Sequence, residues 1–291
     1  MTLGISSGQN ESGPGTALPL VESHSGKESA MPITGPDILF YDKKDRIVTI
    51  TLNRPERMNA LSVELLGRIY DALQRFRDDD DAWVAIVTGA GDRAFCAGFD
   101  LVDQAERDKK GVGFPKREAM PQIPLLEIWK PIIAAINGYA VAGGWELAQY
   151  CDIRIAAEHA ELGISETRWS LPAGWVYNLT RQIGLGHALE IVLWGDQRIS
   201  AKRGYEIGWI NRVVPKEQLM AEAMSWAERM LYLGPRSVRN LKEILYRGFY
   251  MTPREGMAFA AALEADLRGM EDTVEGPKAF AEKRRPMFKN R

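Results

Sequence analysis

The amino-acid sequence predicts an α/β fold that ends in a purely helical region, and three observations carry that prediction. Short β-branched or apolar runs bounded by Gly, Asn or Pro recur between Ile47 and Ala157. Helical periodicity separates them, and from about Pro215 onward helical periodicity alone remains. Strands alternating with helices point to parallel pairing with right-handed connections.

Taken in order, Ile47 to Leu52 is a β-branched strand that Asn53, Arg54 and Pro55 bring to an end, because Pro cannot continue a central ladder. Ser62 then caps a helix whose apolar face is Leu65, Leu66, Ile69, Leu73 and Phe76. The acidic run Asp78 to Asp81 reads as a solvated helix end. Trp83 to Thr88, Ile132 to Ile136 and Ile153 to Ala157 are apolar runs of the kind that form strands covered on both faces. After Pro215, Leu219, Ala223, Trp226 and Met230 form one helical stripe, and Val238, Leu241, Ile244 and Leu245 another. Both stripes are expected to belong to the internal core, with an oligomer interface as the alternative. The organisation is therefore a tail over 1–34, a sheet-bearing core over 35–215 and a helical region over 216–291. The tail is rich in Ser, Gly, Pro and Thr, lacks periodicity and is expected to be disordered.

Composition bounds the function. Of 291 residues 45% are hydrophobic and 26% charged, which fits a globular chain with a real core. With 37 basic against 39 acidic residues the net charge is only −2, so no global field attracts nucleic acid or an anionic membrane. The longest uncharged apolar stretch, Pro131 to Trp145, falls short of the roughly 18 residues of a spanning helix. Neither a signal peptide nor a mitochondrial presequence is legible, and a cytoplasmic protein is expected. Two cysteines, Cys96 and Cys151, and three histidines show no metal-ligand spacing, so neither disulfide nor metal is expected.

Chemistry is sought where strands run into glycine-containing turns, since ligands collect at the carboxyl ends of parallel strands. Three segments share this design: Phe95 to Leu101, Gly138 to Leu147 and Leu162 to Gly174. Gly143 and Gly144 open a helix whose first N–H groups favour a developing negative oxygen, although tight helix packing also explains paired glycines. Glu146 follows in the first turn of that helix among apolar neighbours, where a carboxylate is paired or working. Glu166 follows the Leu162 to Ser165 turn, with a salt bridge to Arg168 or a helix cap as the plainer reading.

The blocks NRPERMNALS (Asn53 to Ser62), RAFCAGFDL (Arg93 to Leu101), INGYAVAGGWELAQYCD (Ile136 to Asp152), LGISETRW (Leu162 to Trp169) and FAEKRRPMF (Phe280 to Phe288) come in an order and at intervals that resemble the enoyl-CoA hydratase/isomerase, or crotonase, superfamily. The resemblance covers residues 37 to 288. It implies a spiral of repeated ββα units and a helical C-terminal trimerisation region, with trimers or dimers of trimers. It further implies an acyl-CoA thioester whose carbonyl oxygen is held by the backbone N–H groups of Phe99 and Gly143. Glu146 would take a proton from the water that adds at Cβ, and Glu166 would deliver one to Cα. CoA would lie along Arg57, Met58, Ala60, Leu61, Ala97 and Asp100, with Lys283 available to its phosphates. Polarisation comes from backbone donors, so no cofactor beyond the CoA of the substrate is called for.

Departures bear on the substrate. Ala142 replaces the first of three glycines common in hydratases, Trp145 replaces a small residue before the first acid, and Ser165 precedes the second where many relatives have Pro. The shortened SETRWSLPAGW form also resembles a hydroxycinnamoyl-CoA hydratase-lyase pattern. Trp145, Trp169, Trp175 and Tyr177 are expected to line an acyl pocket, narrowing it or stacking on a ring. Hydration of a 2-enoyl-CoA is the leading expectation. Isomerisation, hydratase-lyase chemistry and ring hydrolysis are the enzymatic alternatives, and a non-catalytic CoA- or RNA-binding role is the alternative of another class.

Overall fold

The computed structural model describes residues 37–113 and 123–291 of the chain. The tail expected over 1–34 lies outside the described residues. The chain enters through β1 (Leu39–Lys44) and β2 (Ile47–Leu52), an antiparallel pair, followed by α1 (Val63–Asp78). Ser62 caps α1 by accepting a hydrogen bond from Leu65 N at 3.2 Å, and Leu65, Ile69, Leu73 and Phe76 are buried as their spacing predicted. The acidic run beyond it is engaged in surface ion pairs, among them Asp79 with Lys43 at 2.9 Å.

Three units then repeat one plan. β3 (Val84–Gly89) and β4 (Ala94–Cys96) lead to α2 (Leu101–Lys109). β5 (Ile132–Ile136) and β6 (Tyr139–Val141) lead to α3 (Gly143–Gln149). β7 (Ile153–Ala157) and β8 (Glu161–Gly163) lead through 3-10 turns at Glu166–Trp169 and Gly174–Arg181 to α4 (Leu185–Leu193). The first strand of each unit joins one sheet and the second joins another. With β9 (Ile199–Ser200), α5 (Ala201–Glu206) and β10 (Arg212–Val214), the sheets run β1-β2-β3-β5-β7-β10 and β4-β6-β8-β9. Pairing within them is parallel except at β1–β2 and β8–β9. This is the α/β spiral of ββα units that the sequence led us to expect.

The apolar runs are continuous because the first sheet is covered on both faces. Val84 and Ile86 of β3, with Ile133 and Ala135 of β5, face Leu219, Ala223 and Ala227 of α6 (Leu219–Met230). Ala85 and Val87, with Ala134 and Ile136, face the opposite core around Phe95, Trp145 and α1. Burying one such side chain contributes about 1.5–3 kcal/mol. At the corner between sheets the Asn137 amide donates to the carbonyls of Gly89 and Gly91, each at 2.8 Å, and so binds two units together.

The helical region continues with α7 (Pro235–Gly248), α8 (Pro253–Ala265) and α9 (Glu271–Ala281). Lys242 and Tyr246 of α7 reach Asp152 at 2.7 and 3.0 Å and fix the helix to the start of β7. The α6 stripe is core as expected. The α7 stripe is not: Leu241 is 58% exposed and Leu245 76%, so its outer positions find no cover among the described residues. Among the described residues no helix is long and apolar enough to cross a membrane, and Cys96 and Cys151 are free, buried thiols.

Candidate active site

The carboxyl ends of β4, β6 and β8 converge, and each delivers one part of a site. The first part is the loop after β4. Leu61 N donates to Gly98 O at 2.8 Å, Asp100 N to Leu61 O at 3.0 Å and Ala97 N to Met58 O at 3.1 Å. Met58, Leu61, Ala97 and Asp100, all expected along CoA, are thus laced together, and Ala60, expected there too, accepts from Arg54 Nη1 beside them. The shape of the loop is fixed by side chains the sequence reading did not single out. Asn59, fully buried with φ 54, donates to Ala90 O and Ala94 O and accepts from Arg54 N. Arg54 also pairs with the buried Asp100 at 2.9 Å, while Asp100 accepts from Val102 N and Asp103 N at the start of α2. Asp100 is therefore spent on holding the loop, and its carboxyl lies below the ordinary range through these hydrogen bonds and the Arg54 charge, which together outweigh its burial. Arg57 is exposed, 3.8 Å from Asp100.

The second part is the turn into α3, where the two glycines divide the readings weighed for them. A Cβ at Gly144 would stand 2.0 Å from Cys96 O, so this glycine serves close packing. One at Gly143 would stand 3.7 Å from Phe99 N, and one at Gly98 would stand 3.2 Å from Gly143 N. The backbone amides of Phe99 and Gly143 are thus neighbours across two loops, and Gly143 N–H lies in a first helical turn, which supplies no acceptor of its own. Preceding them, Ala142 sits at φ 53, ψ −126, a region L-residues disfavour. Ala142, read from the sequence as standing where hydratases commonly have Gly, is therefore strained.

The third part is the pair of acids. Glu146, half-buried on α3, accepts a hydrogen bond from Tyr150 Oη at 2.8 Å. Glu166 opens the 3-10 turn after β8 and is 6% exposed; among the described residues its Oε2 has no hydrogen-bond partner and it forms no ion pair with Arg168. Burial, followed by the nearby charge of Glu146, pushes the Glu166 carboxyl up to about 7. The two carboxyl groups therefore sense one another. A buried acid that holds its proton near neutrality, beside a carboxylate and on the same site as two neighbouring backbone amides, suits proton transfer next to a developing oxyanion.

Other expectations are corrected. Trp145, 0% exposed, stacks on Trp209 with ring centroids 3.8 Å apart, and Trp175 is 4% exposed in the same core. Neither has surface to lend to an acyl pocket, because the space behind α3 is filled by their rings. Trp169 and Tyr177 are exposed at 55% and 65% on the turns that follow Glu166. Lys283 is exposed and makes no ion pair among the described residues, whereas its neighbour Arg284 is engaged with Glu275 and Glu282. The missed residue of most consequence is Tyr150, whose signal was its position four residues after Glu146 on one helix. Among the described residues no group of three or more His, Cys, Asp or Glu could hold a metal ion.

A ββα spiral with paired amides and paired carboxyl groups at the strand ends defines a class of protein, and comparison with known proteins gives the family. A sequence model of the enoyl-CoA hydratase/isomerase family matches residues 42–291, and the chain belongs to that family. It is 36% identical over 261 residues to (E)-benzylidenesuccinyl-CoA hydratase of Thauera aromatica, covering 89% of this chain and 99% of that protein. It is 35% identical over 259 residues to carnitinyl-CoA dehydratase of Salmonella typhi, covering 87% and 98%. Among solved structures, the enoyl-CoA hydratase of Bacillus anthracis superposes with a TM-score of 0.81 at 36% identity, covering 87% of this chain and all of the other.

Proposed function

We propose that the protein is a hydro-lyase that adds water reversibly across the double bond of a 2-enoyl-CoA thioester. The observation that carries this reading is the second acid: a buried Glu166 with an unpartnered oxygen and a proton retained to about pH 7, within electrostatic reach of Glu146. As water adds at Cβ, Glu146 accepts one of its protons and the thioester carbonyl becomes an enolate. The amides of Phe99 and Gly143 stabilise the enolate oxygen, each such donor being worth about 2.7–4 kcal/mol. Cα then takes the proton of Glu166, so the elements of one water are added and the next turnover starts when the proton passes from Glu146 to Glu166. Backbone around Met58, Ala60, Leu61 and Ala97 would receive the CoA portion, with Arg57 and Lys283 available to its phosphates.

An aryl-bearing acyl group is a second reading at the same site. Trp169 and Tyr177 leave aromatic surface on the turns following Glu166, and one relative is named for benzylidenesuccinyl-CoA. We also take the protein to be cytoplasmic, in keeping with two free buried thiols, and to be a homotrimer or dimer of trimers, in keeping with the uncovered outer face of α7.

The test is kinetics over crotonyl-CoA, a 3-enoyl-CoA and an arylpropenoyl-CoA. Water-dependent loss of the conjugated absorbance is expected, with kcat lowered about 10²- to 10⁴-fold in Glu146→Gln and Glu166→Gln while thioester affinity is retained. No loss with any conjugated thioester would remove the hydratase reading.

A further inference from the structure

Glu146 and Tyr150 stand on one face of α3, four residues apart, and are joined twice. Tyr150 N donates to Glu146 O at 3.2 Å, and Tyr150 Oη donates to Glu146 Oε1 at 2.8 Å. The flanking residues Trp145, Leu147, Ala148, Gln149 and Cys151 are buried, so this face is the part of α3 turned away from the core. We propose that Tyr150 is a positioning residue of the site, its phenol hydroxyl holding the Glu146 carboxylate ionised and in one orientation for proton acceptance. The proposal rests on the hydratase reading of the site and adds a residue to it.

The physical argument has two steps. A hydroxyl donor favours the charged form of a carboxyl group over its neutral form. A Glu side chain also has several soft torsions, which the packing of its neighbours on α3 does not reach. The Trp145–Trp209 stack anchors the helix, and hence the Glu146 backbone; the Tyr150 hydroxyl anchors the carboxylate at the other end. The two acids then differ in environment as their roles require. Glu146 receives a donor, whereas Oε2 of Glu166 receives none and lies buried. Neutral acid and ionised base are thereby distinguished before substrate enters.

Tyr150→Phe keeps the ring and removes only the hydroxyl. With the full-length protein we expect kcat on the best thioester to fall about 10-fold, the loss of one hydrogen bond to a charged group, with KM within twofold and the unfolding temperature unchanged. The infrared carboxylate stretch assigned to Glu146 by its disappearance in Glu146→Gln should shift as well. Replacing Tyr150 by fluorotyrosine keeps shape and hydroxyl and changes only acidity, and kcat should move with it. If Tyr150 merely packs, Phe equals Tyr in kcat and in the infrared spectrum, fluorotyrosine changes neither, and the proposal fails. Should the wild-type protein hydrate none of the thioesters, the hydratase reading falls, and the infrared comparison alone judges the bond from Tyr150 to Glu146.

Discussion

At the scale of single residues, Glu166 carries the most distinctive signature. Its carboxyl is pushed up from the ordinary 4.5 to about 7 by burial and by Glu146. The working pair holds one proton, so kcat/KM should fall as pH rises through about 7. The fall should be the same for hydration and dehydration, because the same singly protonated pair begins each direction. A pH profile measured both ways checks this. The same shift bears on stability. A folded value above the unfolded one means that the favourable contribution is complete below about 4.5 and is lost as pH rises through about 7. Glu166→Gln should therefore gain on the wild-type protein over that interval, by up to about 3 kcal/mol in denaturant titrations. Glu146 was legible from its apolar neighbours in a first helical turn, and the order of the motif blocks added Glu166 and the roles of both. The physical cause of their difference was not legible, because burial at Glu166 is made by distant chain and Tyr150 signals only as a helical neighbour.

At the scale of elements, the entry to α3 concentrates the conformational constraints. Ala142 at φ 53, ψ −126 stores strain of about 1–3 kcal/mol. Ala142→Gly should relieve it and raise stability by about 1 kcal/mol after the added flexibility of the unfolded chain is counted, read as a higher unfolding temperature. Gly144→Ala should do the reverse and severely, since its Cβ would meet Cys96 O at 2.0 Å and backbone cannot yield as a side chain can. The strand runs at Trp83, Ile132 and Ile153 were legible because burial on both faces makes them mostly apolar, and the run at Ile47 because its residues are β-branched. The short strands β4, β6 and β8 were legible only as turns, since three residues carry no periodicity. Aromatic residues misled for a related reason. Composition cannot separate a ring that fills the core from one that lines a cavity, and Trp145 and Trp175 fill the core.

At the scale of the whole molecule, the repeated units place their second strands in one sheet, so three separate loops meet at one place. The loop after β4 depends on a long-range clasp, Arg54 to Asp100, whose members are 46 residues apart. Arg54→Ala should leave the buried Asp100 with only the N–H groups of Val102 and Asp103 and the more distant Arg57, at a cost of about 3 kcal/mol, and should weaken thioester binding along with stability. On the outside, the uncovered Leu241 and Leu245 of α7 correct the expectation that both C-terminal stripes are internal. If they lie between subunits, Leu245→Glu should lower the mass seen by sedimentation at micromolar concentration to that of a single chain.

The central claim is that the paired acids add the elements of water to a conjugated thioester. Turnover of crotonyl-CoA in heavy-oxygen water, followed by mass spectrometry of the product thioester, tests it most directly. The account predicts one labelled oxygen at Cβ in the 3-hydroxyacyl product and none after Glu146→Gln and Glu166→Gln over the same interval. A thioester recovered with its double bond moved, or unchanged, and without label would contradict it.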